Sequence, residues 1–177
     1  MSVFWERMVR ASKLDVNLYE EVEADKQTLG QAMGVVVLAS LAAGIGAGMR
    51  AGIGGIVLQT VAALLGWYVW AFITYWIGTR LLPEPQTEAD VGELLRTTGF
   101  SSAPGLLRVL GVIPGLRGVV FFAASIWMIV AMVIAVRQAL DYKSTGRAIG
   151  VCAIGFVIQL VVFGLVMSLF GGLARPM

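Results

Sequence analysis

Residues 117–137 read RGVVFFAASIWMIVAMVIAVR, so nineteen consecutive positions between Arg117 and Arg137 carry no charge. Crossing about 30 Å of hydrocarbon takes roughly twenty apolar residues at the rise of an α-helix, and this stretch meets that length. Working outward, twenty-seven uncharged residues separate Arg147 from Arg175, and further charge-free runs lie between Lys26 and Arg50 and between Arg50 and Arg80. With 58% apolar and 14% charged residues, the chain falls outside the composition of soluble globular domains. Lipid is therefore the solvent for most of these side chains.

The inventory of reactive groups narrows the chemistry. There is no histidine and one cysteine, Cys152, and the eleven carboxylates all fall before residue 26, between 84 and 93, or at Asp141. A Ser–His or Cys–His nucleophile pair, a zinc site and a midplane aspartyl pair are all excluded on residue types alone. No catalytic residue, metal site or cofactor is expected. Proton-coupled transport, which relies on intramembrane Asp, Glu or His, is disfavoured for the same reason. Cys152, alone in an apolar span, reads as a small packing residue. The first apolar stretch begins near residue 30, after charged residues and without a short basic leader, so it reads as a retained span.

Residues 1–13 place Met1, Phe4, Trp5, Met8 and Ala11 at helical spacing, with Glu6, Arg7, Arg10 and Lys13 elsewhere around the wheel. This is the pattern of a short amphipathic helix, packed on the protein or lying among headgroups. Asn17 followed by Glu20 predicts a helix start, and a second helix is expected to run from near Leu18 through YEEVEADKQTLGQA into the first span. Leu18, Val22 and Leu29 would share one side of it, and Glu20, Glu21, Glu23 and Asp25 would form a solvated acidic collar. Residues 1–28 are thus expected to be a cytoplasmic arm and residues 29–177 the transmembrane domain.

The expected spans cover about 30–49, 53–80, 94–116, 118–136 and 148–172. The run GIGAGMRAGIGG at 44–55 predicts a tight turn around Arg50, and LLPEPQTEADVGELL at 81–95 predicts a loop with a helix restarting near Thr87. The third segment carries Arg96, Arg108, Pro104, Pro114 and several glycines, so it is interior, re-entrant or interfacial, not a straight lipid-facing helix. With five spans and the N-terminus inside, nine Lys and Arg fall on the cytoplasmic side against three outside (Arg50, Arg117, Arg175), with Arg108 within the third span. If that segment does not cross, the split is nine to four. Small residues four apart occur at Gly30/Gly34, Gly44/Gly48, Gly48/Gly52, Gly111/Gly115, Gly146/Gly150 and Gly164/Ser168/Gly172, which permits close helix approach.

Several segments in order, YEEVEAD, GWYVWAFITYWIGT, ADVGELLRTTGFSSAPGLLRVLG, IWMIVAMVIAVRQAL and STGRAIGV, give the chain a resemblance to prokaryotic members of the Yip (Ypt-interacting protein) domain family over roughly residues 18–160. The resemblance implies an all-α, polytopic bundle of five transmembrane helices with a short, Pro/Gly-broken third, a cytoplasmic N-terminus and an exoplasmic C-terminus. It implies the cytoplasmic (inner) membrane of a prokaryote. The Asp-Leu-Tyr-Gly-Pro motif of eukaryotic relatives is absent, so their association with Rab-type GTPases does not carry over.

Arg108 near the centre of the third segment is costly in hydrocarbon unless paired, and no intramembrane acid is there to pair it. Its partner is expected to be a backbone carbonyl, a cytoplasmic carboxylate or a lipid phosphate. Arg96 near the headgroup level suits the same anionic lipid. Ser101 and Ser102 can bond the backbone freed by Pro104 or line a polar pocket, and Trp67, Trp70 and Trp127, away from the usual belt depth, pack internally or wall a cavity. Two functions stand: a non-enzymatic membrane-organising scaffold that binds lipid or a partner from its cytoplasmic face, or a small transporter or channel with a path beside the broken segment. Membrane lipids, a second copy or another membrane protein are the expected partners, and nucleic acid is not.

Overall fold

The computed structural model describes residues 2–48 and 52–173, with side chains described throughout except at 166, 167 and 169–173. Met1, the turn at Arg50 and Arg175 lie outside the described residues. The described chain is helical, without a strand: α1 (Val3–Ser12), α2 (Val16–Ala24), α3 (Leu29–Gly46), α4 (Gly52–Trp76), α5 (Val91–Phe100), α6 (Arg117–Ala139) and α7 (Thr145–Leu173). Among the described residues four helical stretches are long and apolar enough to cross a membrane: Lys26–Gly46, Gly52–Leu81, Arg117–Ala139 and Thr145–Leu165. Their outer faces stay apolar, with Ile53, Leu58 and Phe122 each at least 70% exposed, which suits lipid and not water.

In the arm the structure departs from the sequence reading. α1 buries Met8 and Ala11, but Trp5 points away and is 47% exposed, so the buried stripe is narrower than the spacing suggested. The cap of α2 is Asp15, not Asn17: its carboxylate accepts from the Asn17 N–H at 3.0 Å, after Leu14 turns the chain at φ 62°. Nor does α2 run on into the first span. Asp25 is extended and caps the Gln27 N–H, a 3-10 turn occupies Lys26–Thr28, and α3 starts at Leu29. Leu29, at 37% exposed, therefore leaves the buried side that Leu18 and Val22 share.

α4 ends in a π-helical turn over Ile77–Leu81; the carbonyl of Gly78 within it and that of Leu82 just after it accept from the Tyr142 hydroxyl at 3.0 and 2.7 Å. α5 starts at Val91 and not at Thr87, because Asp90 and Glu93 form a reciprocal capping box there while the Thr87 hydroxyl is used within the loop, accepting from the Glu84 N–H. After Phe100 the α-helix gives way to a 3-10 helix over Ala103–Val112, with Pro104 in its first turn.

Contacts between helices fix the register. Gly99 lies on Ala32, Gly105 on Ala39 and Gly111 on Gly46, so α5 and the 3-10 helix travel side by side with α3 in the same direction. Against α6 the same segment runs antiparallel, pairing Ser101 with Met132, Gly105 with Met128, Arg108 with Ser125 and Gly111 with Phe121. α3 and α4 are antiparallel through Ser40–Thr60 and Gly44–Ile56, and α4 meets α7 through Gly66–Gln159 and Trp70–Gly155. α5 is thereby the central helix, and Leu94 through Phe100 are all buried. The arm packs into the same core: Met8, Ala11, Leu18, Tyr19 and Val22 share one apolar cluster with Ala32, Val35, Phe100 and Ala135.

Candidate functional site

The two arginines of the third segment have opposite surroundings. Arg96 is 5% exposed, and its guanidinium donates from Nε to the Val22 and Glu23 carbonyls, each at 3.0 Å, and from Nη2 again to Glu23. These are the carbonyls that α2 leaves unpaired where it stops. Arg96 thus fastens the arm to the central helix.

Arg108 is partly buried, and its Nη2 donates to the Ser125 hydroxyl at 3.0 Å, which in turn donates to the Phe121 carbonyl at 2.7 Å. The guanidinium lies 5.8 Å from the centre of the Phe121 ring, on which Arg117 also sits at 5.8 Å. Of the three partners the sequence suggested, neither a backbone carbonyl nor a carboxylate reaches Arg108 among the described residues, and its Nε is buried without a protein acceptor. Two cavities meet at this side chain. A larger one of about 520 Å³ lies between α4, α6 and α7, and a smaller one of about 310 Å³ lies between α3, α4 and α5, both touching Trp70, Arg108, Met128, Met132 and Phe156.

The remaining sequence candidates divide. Trp67 and Ser102 line the smaller cavity. The Trp67 indole also donates to the Leu95 carbonyl and the Thr98 hydroxyl, both at 3.2 Å, holding α4 on α5. Trp70 walls both cavities, with its indole N–H on the Met132 sulfur at 3.1 Å. Ser101 is fully buried and donates to the Thr98 carbonyl at 2.7 Å, so it repairs the broken backbone and lines neither cavity. Trp127 also lies away from them, donating to the Ser12 carbonyl at 2.8 Å and so tying α6 to the end of α1.

Sequence reading passed over Ser125, Gln59 and Gln159. Gln59 and Gln159 line the smaller cavity, and the Gln159 amide oxygen is buried without a partner among the described residues. The available signal was their standing as isolated amides inside otherwise apolar spans, where a polar side chain faces the bundle interior or a cavity.

At the rim of the core, ion pairs within the arm hold α1 on α2. Arg7 reaches Glu21 at 2.9 Å and Asp25 at 3.3 Å, and Arg10 reaches Glu21 at 2.6 Å and Asp15 at 2.8 Å. Partial burial alone would raise the Glu21 carboxyl, but the hydrogen bonds from Arg10 and Arg7 hold it below the ordinary carboxylate range. Two members of the expected collar are therefore paired. Glu23 is different: burial, with Asp141 and Glu93 nearby and only Arg96 opposing, raises its carboxyl to about 7.

No curated protein and no solved structure matches the chain. The family model of the Yip1 domain matches residues 18–166, from the start of the buried face of α2 into the last span. Together with the four long apolar helices, this match makes the chain an integral membrane protein that belongs to the Yip1 domain family.

Proposed function

We propose that the chain crosses the membrane five times and acts as a non-enzymatic, membrane-organising scaffold whose arm, residues 1–28, meets lipid or a partner at the cytoplasmic surface of the transmembrane unit, residues 29–177. The fifth crossing is supported by the two ends of α6. The Gln86 side chain donates to the Asp141 carbonyl at 2.9 Å and Glu84 accepts from the Lys143 N–H at 2.9 Å, so the loop before α5 and the connector after α6 share one end of the bundle. At 23 residues α6 is about 35 Å long, which puts Leu116 at the opposite end and makes residues 87–116 the segment that travels between them. The excess of Lys and Arg then favours an inside N-terminus and an outside C-terminus in a prokaryotic inner membrane.

The observation that carries the scaffold reading is the fastening of the arm. α1 is held by Arg7, Arg10 and the Trp127 indole while Val3, Trp5 and Val9, 59%, 47% and 45% exposed, face outward. A rigid amphipathic helix of this kind inserts its outer face among headgroups. Reconstitution into vesicles of mixed neutral and anionic phospholipid is expected to shift vesicle diameter with the unaltered chain and not with Trp5→Glu/Val9→Glu, read by cryo-electron microscopy. Equal diameters for empty, unaltered and doubly substituted preparations would refute it. The cavities meeting at Arg108 favour a second reading, a small transporter or channel, and ion flux through the same vesicles would speak for that one.

A further inference from the structure

We infer that the larger cavity at Arg108 is a binding site for a single-chain anionic amphiphile, its phosphate or carboxylate on Arg108 and its hydrocarbon chain in the apolar space between α6 and α7. This site is separate from the arm on which the scaffold reading rests. Its volume of about 520 Å³ falls in the range of roughly 300–1,000 Å³ typical of small-molecule sites. Polarity within it is confined to one end. Arg108 supplies the donors there, the Ser125 hydroxyl proton being spent on the Phe121 carbonyl, whereas the Trp70 indole N–H is turned onto the Met132 sulfur. From Ser125 the wall runs along α6 to Val133, eight positions or about 12 Å further on, through Met128, Ile129 and Met132.

The charge at Arg108 points to an anion and not to a neutral chain. The guanidinium has five donors in a planar fork, one hydroxyl as its hydrogen-bond partner, a buried Nε without an acceptor, and no carboxylate within reach among the described residues. A phosphate or carboxylate supplies the missing acceptors in bidentate form. The chain contributes differently. Bilayer hydrocarbon is as apolar as these side chains, so moving an acyl chain from lipid into the cavity gains little by itself. Fit to the cavity sets which chains enter, and Arg108 sets the preference for an anionic head over a neutral one.

Cys152 lines the same cavity and is the chain's only cysteine, which makes it a reporter of occupancy. The purified full chain in neutral detergent is alkylated with uncharged N-ethylmaleimide while dodecyl phosphate, dodecanol or inorganic phosphate is added. At about ten times its dissociation constant a ligand leaves roughly one site in eleven free, so dodecyl phosphate is expected to slow alkylation about tenfold. Dodecanol and inorganic phosphate are expected to leave the rate unchanged. A Cys152→Ala/Leu165→Cys chain, with its thiol on the lipid-facing side of α7, is expected to react at one rate throughout. Arg108→Gln is expected to abolish protection by dodecyl phosphate, and the ligand series on the unaltered chain decides the matter even where that variant does not fold. Equal protection by dodecanol, equal protection by inorganic phosphate, no protection by any of the three, equal slowing at Leu165→Cys, or full protection retained in Arg108→Gln would each overturn the inference.

Discussion

Gly46→Ala is expected to lower the stability of the purified chain in detergent by about 3 kcal/mol, a drop of roughly 6–12 °C in apparent Tm for a chain of this size. A methyl group on Gly46 would overlap the backbone carbonyl oxygen of Arg108 outright and lie 2.8 Å from its carbon and 3.2 Å from the Phe121 ring. Backbone cannot rotate away as a side chain can, so the 3-10 helix would have to move off α3. That movement would also carry Arg108 away from Ser125 and open the cavity. Gly30→Ala and Gly54→Ala, where the added methyl meets no other part of the described residues within 4 Å, are the matched controls and are expected to leave the melt unchanged. Thermal unfolding followed by circular dichroism checks all three.

The second large effect is expected at Arg96. Arg96→Met keeps the stem that fills the space between α2 and α5 but removes the donors to Val22 and Glu23; the Val22 carbonyl still accepts from the Thr28 hydroxyl at 3.0 Å, so the Glu23 carbonyl is the one left unsatisfied, at a cost of about 1–3 kcal/mol. Arg96→Lys retains charge without the planar fork and is expected to recover only part of the loss. Because Arg96 holds the arm and not the spans, the loss is expected to be local. Limited proteolysis at the α2–α3 junction is expected to become faster in Arg96→Met while the spans stay protected. Unchanged proteolysis and an unchanged melt would show that the arm does not depend on this contact.

The spans were legible because lipid imposes a length. A helix in hydrocarbon needs an unbroken apolar run, and such runs gave α3, α4, α6 and α7 to within a few residues. Facing was not legible. Helices apolar on every side carry no stripe to say which side meets protein, and the regularly spaced glycine pairs were a poor guide. Among the described residues Gly30 and Gly48 have open space around them, while the tightest backbone approach falls at Gly46, which belongs to no spaced pair; of the paired glycines Gly111 comes closest to backbone, at the Gly46 carbonyl. The arginines illustrate a related limit. Sequence suggested the same anionic lipid for Arg96 and Arg108, but only packing reveals that α2 stops beside Arg96 and offers it carbonyls, while Arg108 faces Ser125 and two cavities. At the start of α2, Asn17 had the chemistry of a cap, yet Asp15 took the role because it also pairs with Arg10.

Five crossings require residues 87–116 to travel from one face of the membrane to the other. Single cysteines at Glu6, Ile113 and Lys143, each in a Cys152→Ala background, test this with a membrane-impermeant maleimide applied to sealed vesicles of known sidedness. Five crossings require Glu6→Cys and Lys143→Cys to label from one face and Ile113→Cys from the other. Labelling of Ile113→Cys from the same face as Glu6→Cys, with Lys143→Cys on the opposite face, would contradict the account.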